Sequence, residues 1–383
     1  MREHGSFQWL TVRAMLGVAV AASLLAPGAR AQSVAPRSGI AKPRPIVPES
    51  EQTNAPTAKS EPDPSNLAPG SGPVMQQVTA YTIYWTPNNT LTTGYMDLID
   101  RYFQDIGNTA FYNIATQYYQ NPGPAYIQNS VSFGGRWVDT TNAYPKAGDV
   151  SHPLSDQDIQ DEVTRALAAN SSWGPPGLTK MFFVFTEKGI ESCDGTDCTI
   201  DIQGCVAGSY CAYHKWFGNS SNPTIYANMA YPQNATKYNC TCYGVGTSPN
   251  GDLDADVEIS ITSHEHFEAV EDPQLANWRD AIGGETGDKC AYYYGDTKAD
   301  GHNLVLNGHP YIIQLEWSNA AADGVDAHSG VLRQGAEGVA VEIDHAVGQR
   351  EGVAVRGERV GAVQRDAVVA RHRITTPAAP RAR

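Results

Sequence analysis

The segment Ser263–Glu268 contains an HExxE pattern, in which a histidine and a glutamate lie four positions apart. On a helix the i and i+4 side chains share one face, so His264 and Glu268 can reach the same point. Imidazole nitrogen and carboxylate oxygen both bind zinc, and a catalytic zinc uses three protein ligands and keeps a fourth position for water. The spacing therefore predicts a helix that holds one zinc ion through His264 and Glu268.

Glu265 follows the first of these ligands and indicates the chemistry. Zinc lowers the pKa of a bound water to about 7, and a carboxylate that is not a ligand can take the water's proton as the water attacks a carbonyl. We expect Glu265 to be this general base. His266 points away from the His264 face, so we expect it behind the site or at the surface. The same letters also fit an acidic surface helix that binds no metal.

A third ligand is expected from a turn downstream of the helix. The glycines at 283–284 let the chain turn back, and either Glu285 or Asp288 then supplies a carboxylate. The pattern does not choose between them. Asp272 lies on the helical stripe at i+8, but the proline that follows it disfavours helical backbone there, so Asp272 is the weaker candidate.

The N-terminus predicts export. Basic residues precede an apolar run from Ala14 to Ala26, and Ala29-Arg30-Ala31 supplies a small-x-small cleavage site. This is the pattern of a secretory signal peptide over residues 1–31, and it predicts a secreted, extracellular protein, with the periplasm as the alternative compartment. No later run reaches the roughly 18 apolar residues that a membrane span requires.

Three further segments differ in composition. Residues 32–76 are rich in proline, serine and alanine and contain no aromatic residue, which predicts a disordered linker or a removable pro-segment. Residues 77–323 have the length and apolar content of one domain. Residues 324–383 lack phenylalanine, tryptophan, tyrosine, cysteine and lysine. We interpret this tail as disordered, or as the translation of a shifted reading frame.

The chain contains seven cysteines, and the first six lie in two groups. Export makes disulfides the default state, so we expect disulfide-stapled loops rather than a cysteine metal site. An odd count leaves at least one cysteine outside an intramolecular disulfide. The positions are Cys193, Cys198, Cys205, Cys211, Cys240, Cys242 and Cys290.

The pattern of apolar residues predicts an α/β (α+β) domain with a mixed sheet. Together with the HExxE motif on a long metal-binding helix, this order of elements is what a zincin-like domain looks like. The net formal charge is −14, which disfavours nucleic acid and anionic membranes as partners, and we expect a monomer. Predicted strands lie at Val78–Trp85, Met181–Thr186 and Thr224–Ala230, and predicted helices lie within Tyr95–Gln120, from Ser155 to about Asn170, and over Asp254–Glu271.

Several segments together resemble the microbial branch of the EXORDIUM, or phosphate-induced protein 1, family. The similarity spans roughly residues 77–319 and includes both the HExxE and the GxExGDxC elements. The segments are Thr262–Pro273, Trp278–Asp280, Gly284–Cys290 and Asn307–Asn319, with upstream pieces at Tyr81–Trp85, Cys211–His214, which we interpret as a turn, and Tyr226–Pro232.

This resemblance implies a secreted protein with a zinc-peptidase-like site formed by His264, Glu265, Glu268, Glu285 and Asp288. Plant members of the family lack the His-Glu pair and are growth-related wall proteins rather than enzymes. Two functions are therefore expected. One is a zinc-dependent metallopeptidase acting on a peptide or protein substrate. The other is a non-catalytic wall-associated or signalling protein, whose partner is a cell-wall component. A carbohydrate-binding module using the tyrosines at 292–294 is a third class.

Overall fold

The structure, a computed structural model, describes residues 39–40, 65–195, 197–199, 210–232, 247–291 and 293–320. Within these residues the largest sheet has six strands and carries helices on both faces. The strands are β1 Gly39–Ile40, β2 Val78–Trp85, β3 Tyr119–Gln120, β4 Ala125–Tyr126, β5 Val131–Asp139, β6 Leu154–Ser155, β7 Lys180–Thr186, β8 Ser192–Asp194, β9 Asp197–Cys198, β10 Ala212–Asn219, β11 Asn222–Met229, β12 Leu304–Leu306 and β13 His309–Tyr311. The helices are α1 Thr93–Asp105, α2 Asp156–Ala169, α3 Leu253–Glu271 and α4 Thr286–Lys289, with 3-10 helices at Tyr112–Gln117 and Ser171–Trp173.

The strand order of the large sheet is β1-β10-β11-β7-β2-β5. Strands β11, β7, β2 and β5 run parallel to one another. Strand β10 pairs antiparallel with β1 on one side and with β11 on the other. The domain is therefore mixed α/β with a mixed sheet, which confirms that part of the predicted fold class.

The sheet separates two hydrophobic cores. Successive side chains of a strand point to opposite faces, and β7 shows the consequence. Phe183 and Phe185 lie in the core that includes apolar residues of α1 and α3, whereas Phe182 and Val184 lie in the core that includes residues of α2. The continuous apolar run of β7 in the sequence is explained by burial on both faces.

Helix α3 is buried all round. Every residue from Ala255 to Glu271 is buried, although the helix carries several acidic side chains. Its start is capped by Asp252, whose carboxylate accepts a hydrogen bond from the Ala255 backbone N–H at 3.0 Å. A helix without a solvated face belongs to the interior. This excludes the interpretation of the HExxE segment as an ordinary acidic surface helix.

Two local predictions differ from the structure. The segment Cys211–His214 is not a turn, because strand β10 begins at Ala212 and pairs along its length with β11. Residues 65–76, predicted to belong to the linker, are packed against the domain, with Leu67, Val74 and Met75 buried. These few apolar side chains are enough to dock a segment whose overall composition resembles a linker. The packed chain therefore starts ahead of residue 77.

Cys193 and Cys198 form a disulfide that closes the β8–β9 turn, and Cys211 is disulfide-bonded as well. One of the predicted stapled loops is thus confirmed. The predicted signal peptide at 1–31, most of the predicted linker and the tail at 324–383 lie outside the described residues. In the part of the chain that is described, no helix has the length and apolar composition needed to cross a bilayer.

Candidate metal centre

Helix α3 brings the HExxE side chains into a buried cluster. The exposed fraction is 2% for His264 and 0% for both Glu265 and Glu268. The Nε2 atom of His264 lies 3.0 Å from Oε1 of Glu268, as the i, i+4 spacing predicts. Buried charges need a counter-charge or a metal ion, so the partners of these groups decide what the cluster does.

Asp288 joins this cluster from α4. Its carboxylate Oδ1 lies 3.8 Å from Nε2 of His264, and its backbone N–H donates to Oε1 of Glu268 at 3.0 Å. His264, Glu268 and Asp288 each offer one ligand atom, and these atoms lie within 4.8 Å of one another. Of the two predicted third ligands, Asp288 is the one that the structure places with His264 and Glu268.

Glu285 lies beside a different partner. Its Oε1 is 3.1 Å from Nη2 of Arg279 and 3.9 Å from Nε2 of His214. Asp272, the weaker candidate, accepts hydrogen bonds from the backbone N–H of Asn277 and from Nε of Arg279, both at 2.8 Å. These bonds hold the chain reversal after α3, so Asp272 supports the site without facing His264.

His214 of β10 is a site residue that the sequence analysis missed. Its Nδ1 lies 3.3 Å from Oε2 of Glu265 and 3.7 Å from Oε2 of Glu268, and its side chain is fully buried. His214, Glu265 and Glu268 form a second group of potential ligand atoms within 4.8 Å of one another. Tyr213 and Phe217 face the α2 core, so strand alternation turns His214 toward α3, but no local sequence signal places β10 next to that helix.

The cluster contains more acidic than basic side chains, and this raises the pKa of several of its groups. Burial disfavours the imidazolium, but the carboxylates of Glu268, Glu265 and Asp288 outweigh it and raise the pKa of His264 well above its ordinary value. Burial and then the charge of Glu268 raise the pKa of Asp288 to about 7. Burial and the same charge raise the pKa of Glu285 well above its usual range. Neighbouring carboxylates of like charge suppress one another's ionisation, and a nearby cation favours their ionised forms.

Several carboxylate oxygens of the cluster are also unsatisfied. Among the described residues, Oε1 of Glu265, Oε2 of Glu268 and Oε2 of Glu285 have no hydrogen-bond partner. Leaving a buried polar atom without a partner costs about 1–3 kcal/mol. A divalent cation between these side chains would remove that cost.

The donor set of His264, Glu268 and Asp288 fits zinc. It offers one imidazole nitrogen and carboxylate oxygens, which are zinc ligands. Bonds of about 2.0–2.1 Å in a tetrahedral arrangement place neighbouring ligand atoms about 3.3 Å apart. The measured separations from His264 Nε2, 3.0 Å to Glu268 and 3.8 Å to Asp288, lie on either side of that value.

Gly287 allows α4 to approach the first histidine. A Cβ at this position would lie 2.7 Å from Cγ of the His264 ring, so Gly287→Ala must push the ring or α4 away. We expect the free energy of unfolding to fall by about 1–3 kcal/mol and zinc affinity to fall with it. Denaturant unfolding and zinc titration measure the two effects.

Gly94→Ala is the matched control, because a Cβ there would meet no atom within 4 Å. Gly94 lies in the first turn of α1, where alanine should leave stability unchanged or raise it slightly. If the two variants lost stability equally, steric contact between Gly287 and His264 would not be the cause.

His266 occupies neither the site nor the surface. Its ring stacks on Tyr112 with centroids 5.3 Å apart, and its Nδ1 lies 3.1 Å from the hydroxyl of Tyr102. Burial among aromatic rings lowers the pKa of His266 to about 3. His266 is therefore a neutral core residue, and it differs from the surface or site-backing residue that the sequence suggested.

This burial predicts a pH-dependent stability. The folded pKa is depressed, so the unfolded chain binds more protons between pH 6.5 and about 3, and stability falls as pH falls through that window. We expect wild type to lose about 2–3 kcal/mol more than His266→Phe between pH 6 and pH 4. Denaturant unfolding of both proteins at each pH isolates His266, since acid release of a metal affects both. Parallel stability curves would contradict the assignment.

No family model matches this sequence, and no curated protein matches it either. The resemblance to the EXORDIUM family is therefore carried by the sequence segments named above.

Proposed function

We propose that this protein is a secreted zinc-dependent metallopeptidase with a zincin-like fold. His264, Glu268 and Asp288 hold one zinc ion, and Glu265 is the general base. The observation that carries the proposal is that Asp288 lies close to His264 and Glu268 of α3, in a cluster with several carboxylates. Helix α3 would then be the long metal-binding helix that the HExxE pattern predicts.

A bound zinc ion supplies Lewis acidity toward the scissile carbonyl and makes a water molecule easier to deprotonate. Glu265 follows the first ligand in sequence, and its Oε1 has no hydrogen-bond partner among the described residues. This oxygen accepts the proton of the attacking water and returns it to the amine that leaves when the C–N bond breaks. Nδ1 of His214 lies 3.3 Å from the other oxygen of Glu265.

Two features support action outside the cell. The N-terminal sequence has the pattern of a signal peptide. The disulfide between Cys193 and Cys198 is of the kind that persists in oxidising compartments. The excess of acidic over basic residues argues against nucleic acid as a substrate.

The second candidate function is that of a non-catalytic extracellular protein, wall-associated or signalling, in which the metal stabilises the fold. Burial favours it. The side chains of His264, Glu265 and Glu268 are 0–2% exposed, whereas that of Asp288 is 25% exposed. A cavity lined by residues 145–147 and 151–153 shares no residue with the cluster. Catalysis therefore requires that the chain admit substrate along the Asp288 side.

Hydrolysis of a casein or mixed-peptide substrate, measured with and without added zinc, separates the two functions. The peptidase proposal expects cleavage that a chelator removes and that zinc restores. Metal-dependent stability without cleavage of any peptide offered would favour the non-catalytic function.

A further inference from the structure

The two carboxylate oxygens of Glu268 face different histidines. Oε1 lies 3.0 Å from Nε2 of His264, whereas Oε2 lies 3.7 Å from Nδ1 of His214. Oε2 has no hydrogen-bond partner among the described residues and is fully buried. Glu268 thus belongs to both groups of potential ligand atoms, with one oxygen directed to each.

The tautomer of His214 follows from its other nitrogen. Nε2 lies 3.3 Å from the backbone carbonyl oxygen of Asp272, and a carbonyl can only accept, so Nε2 carries the proton. In the neutral ring Nδ1 then presents a lone pair to Oε2 of Glu265 at 3.3 Å and to Oε2 of Glu268 at 3.7 Å. These three atoms lie within 4.8 Å of one another, and a cation between them, either a proton on Nδ1 or a metal ion, relieves their repulsion. A backbone carbonyl that fixes the tautomer is the usual arrangement behind a metal-bound histidine.

The number of carboxylates near the two histidines also favours a second cation. Four carboxylates lie within 4 Å of the two histidines. Arg279 is paired with Asp272 at 2.8 Å, so this pair adds no net charge. With all four carboxylates ionised, one dication leaves two negative charges that protons must neutralise, whereas two dications balance the set. The four carboxylates belong to Glu265, Glu268, Glu285 and Asp288.

We propose that His214, Glu265 and Oε2 of Glu268 form a second divalent-cation site, bridged by Glu268 to the first. The inference deepens the proposed function and rests on it for the ion at His264. One nitrogen and two oxygen ligands suit zinc and similar divalent transition metals. Carboxylate-bridged ions in proteins lie about 3.5–4 Å apart.

The second site would regulate the first. An ion bound there takes up the carboxylate of Glu265, so the general base can no longer accept a proton. Excess zinc should therefore inhibit hydrolysis as the second site fills, while the ion at His264 stays in place. The protein would be active with one ion and inactive with two.

Zinc chloride titration of the purified secreted protein tests the proposal, with metal content measured at stepped concentrations of free zinc. Wild type is expected to bind two ions, the second more weakly, and to lose at least 10-fold in hydrolysis as the second binds. His214→Ala is expected to bind one ion and to show no such zinc-dependent loss. His214→Gln, which fills the same space without an imidazole, gives the same count if alanine disturbs folding.

A cobalt-substituted sample gives a readout that does not depend on activity. Two cobalt ions bridged by one carboxylate are magnetically coupled, so their electron paramagnetic resonance signal should weaken as the second ion binds.

Three results would overturn the second site. One is that wild type binds a single ion, which is lost in His264→Ala and kept in His214→Ala. The proposed function would then stand. Another is a second ion that persists without His214. The third is no bound ion at all, which also removes the proposed function.

Discussion

Glu265→Gln is expected to reduce hydrolysis by about 10²–10⁴-fold, the range that general-base catalysis contributes, while the tightly bound zinc ion is retained. Glutamine has nearly the same shape as glutamate but cannot accept the proton of the attacking water. Glu265 does not belong to the group of His264, Glu268 and Asp288, so the substitution leaves the three proposed ligands of the first ion unchanged. The measurement pairs kcat/KM on a peptide substrate with zinc content after dialysis.

Glu271→Gln is the matched control on the same helix. Burial, and then the charge of Glu316, raise the pKa of Glu271 well above its usual range, which favours the neutral form that glutamine resembles. Glu271→Gln should therefore keep both zinc and hydrolysis. If Glu265→Gln hydrolysed peptides at the wild-type rate, Glu265 would not be the base, and the non-catalytic function would be favoured.

Asp288→Asn is expected to weaken binding of the first zinc ion by more than 100-fold, whereas Glu285→Gln should change it by less than 10-fold. Loss of a group that only supports a ligand already costs about 10–100-fold in metal affinity, and we propose Asp288 as a ligand itself. Glu285 instead lies 3.1 Å from Arg279. Competition with a fluorescent zinc chelator measures both affinities.

Both variants replace a carboxylate by an amide, and the two positions lie three residues apart. A general disturbance of the turn should therefore affect both variants alike. Equal losses would show that the turn, rather than one carboxylate, holds the ion. A larger loss in Glu285→Gln would assign the third ligand to Glu285 instead of Asp288.

Local patterns gave the elements that position the site. Strand Val78–Trp85 has the predicted bounds, and α3 begins at Leu253, one residue before the predicted start. Both segments have unambiguous signals, since β2 is a run of β-branched and aromatic residues and α3 begins after a capping aspartate. The i, i+4 relation of His264 and Glu268 also follows from local helix geometry alone.

Contacts between distant segments could not be predicted in this way. The choice of Asp288 over Glu285 depends on how α4 packs against the His264 ring through Gly287. The place of His214 depends on β10 lying next to α3, which no local pattern encodes. The segment Cys211–His214 is expected to be a turn as part of the family resemblance, and its pairing with β11 shows a strand instead. Strand β5 also escaped prediction, because the glycines at 134–135 interrupt its pattern.

Metal content of the secreted protein, measured by elemental analysis for wild type beside His264→Ala, tests the central claim most directly. After dialysis against zinc-free buffer, we predict about one zinc ion in each wild-type molecule and none in the variant, because Nε2 of His264 faces both Glu268 and Asp288. Wild type that holds no metal even after zinc is offered, or a variant that keeps the wild-type zinc content, would contradict the account.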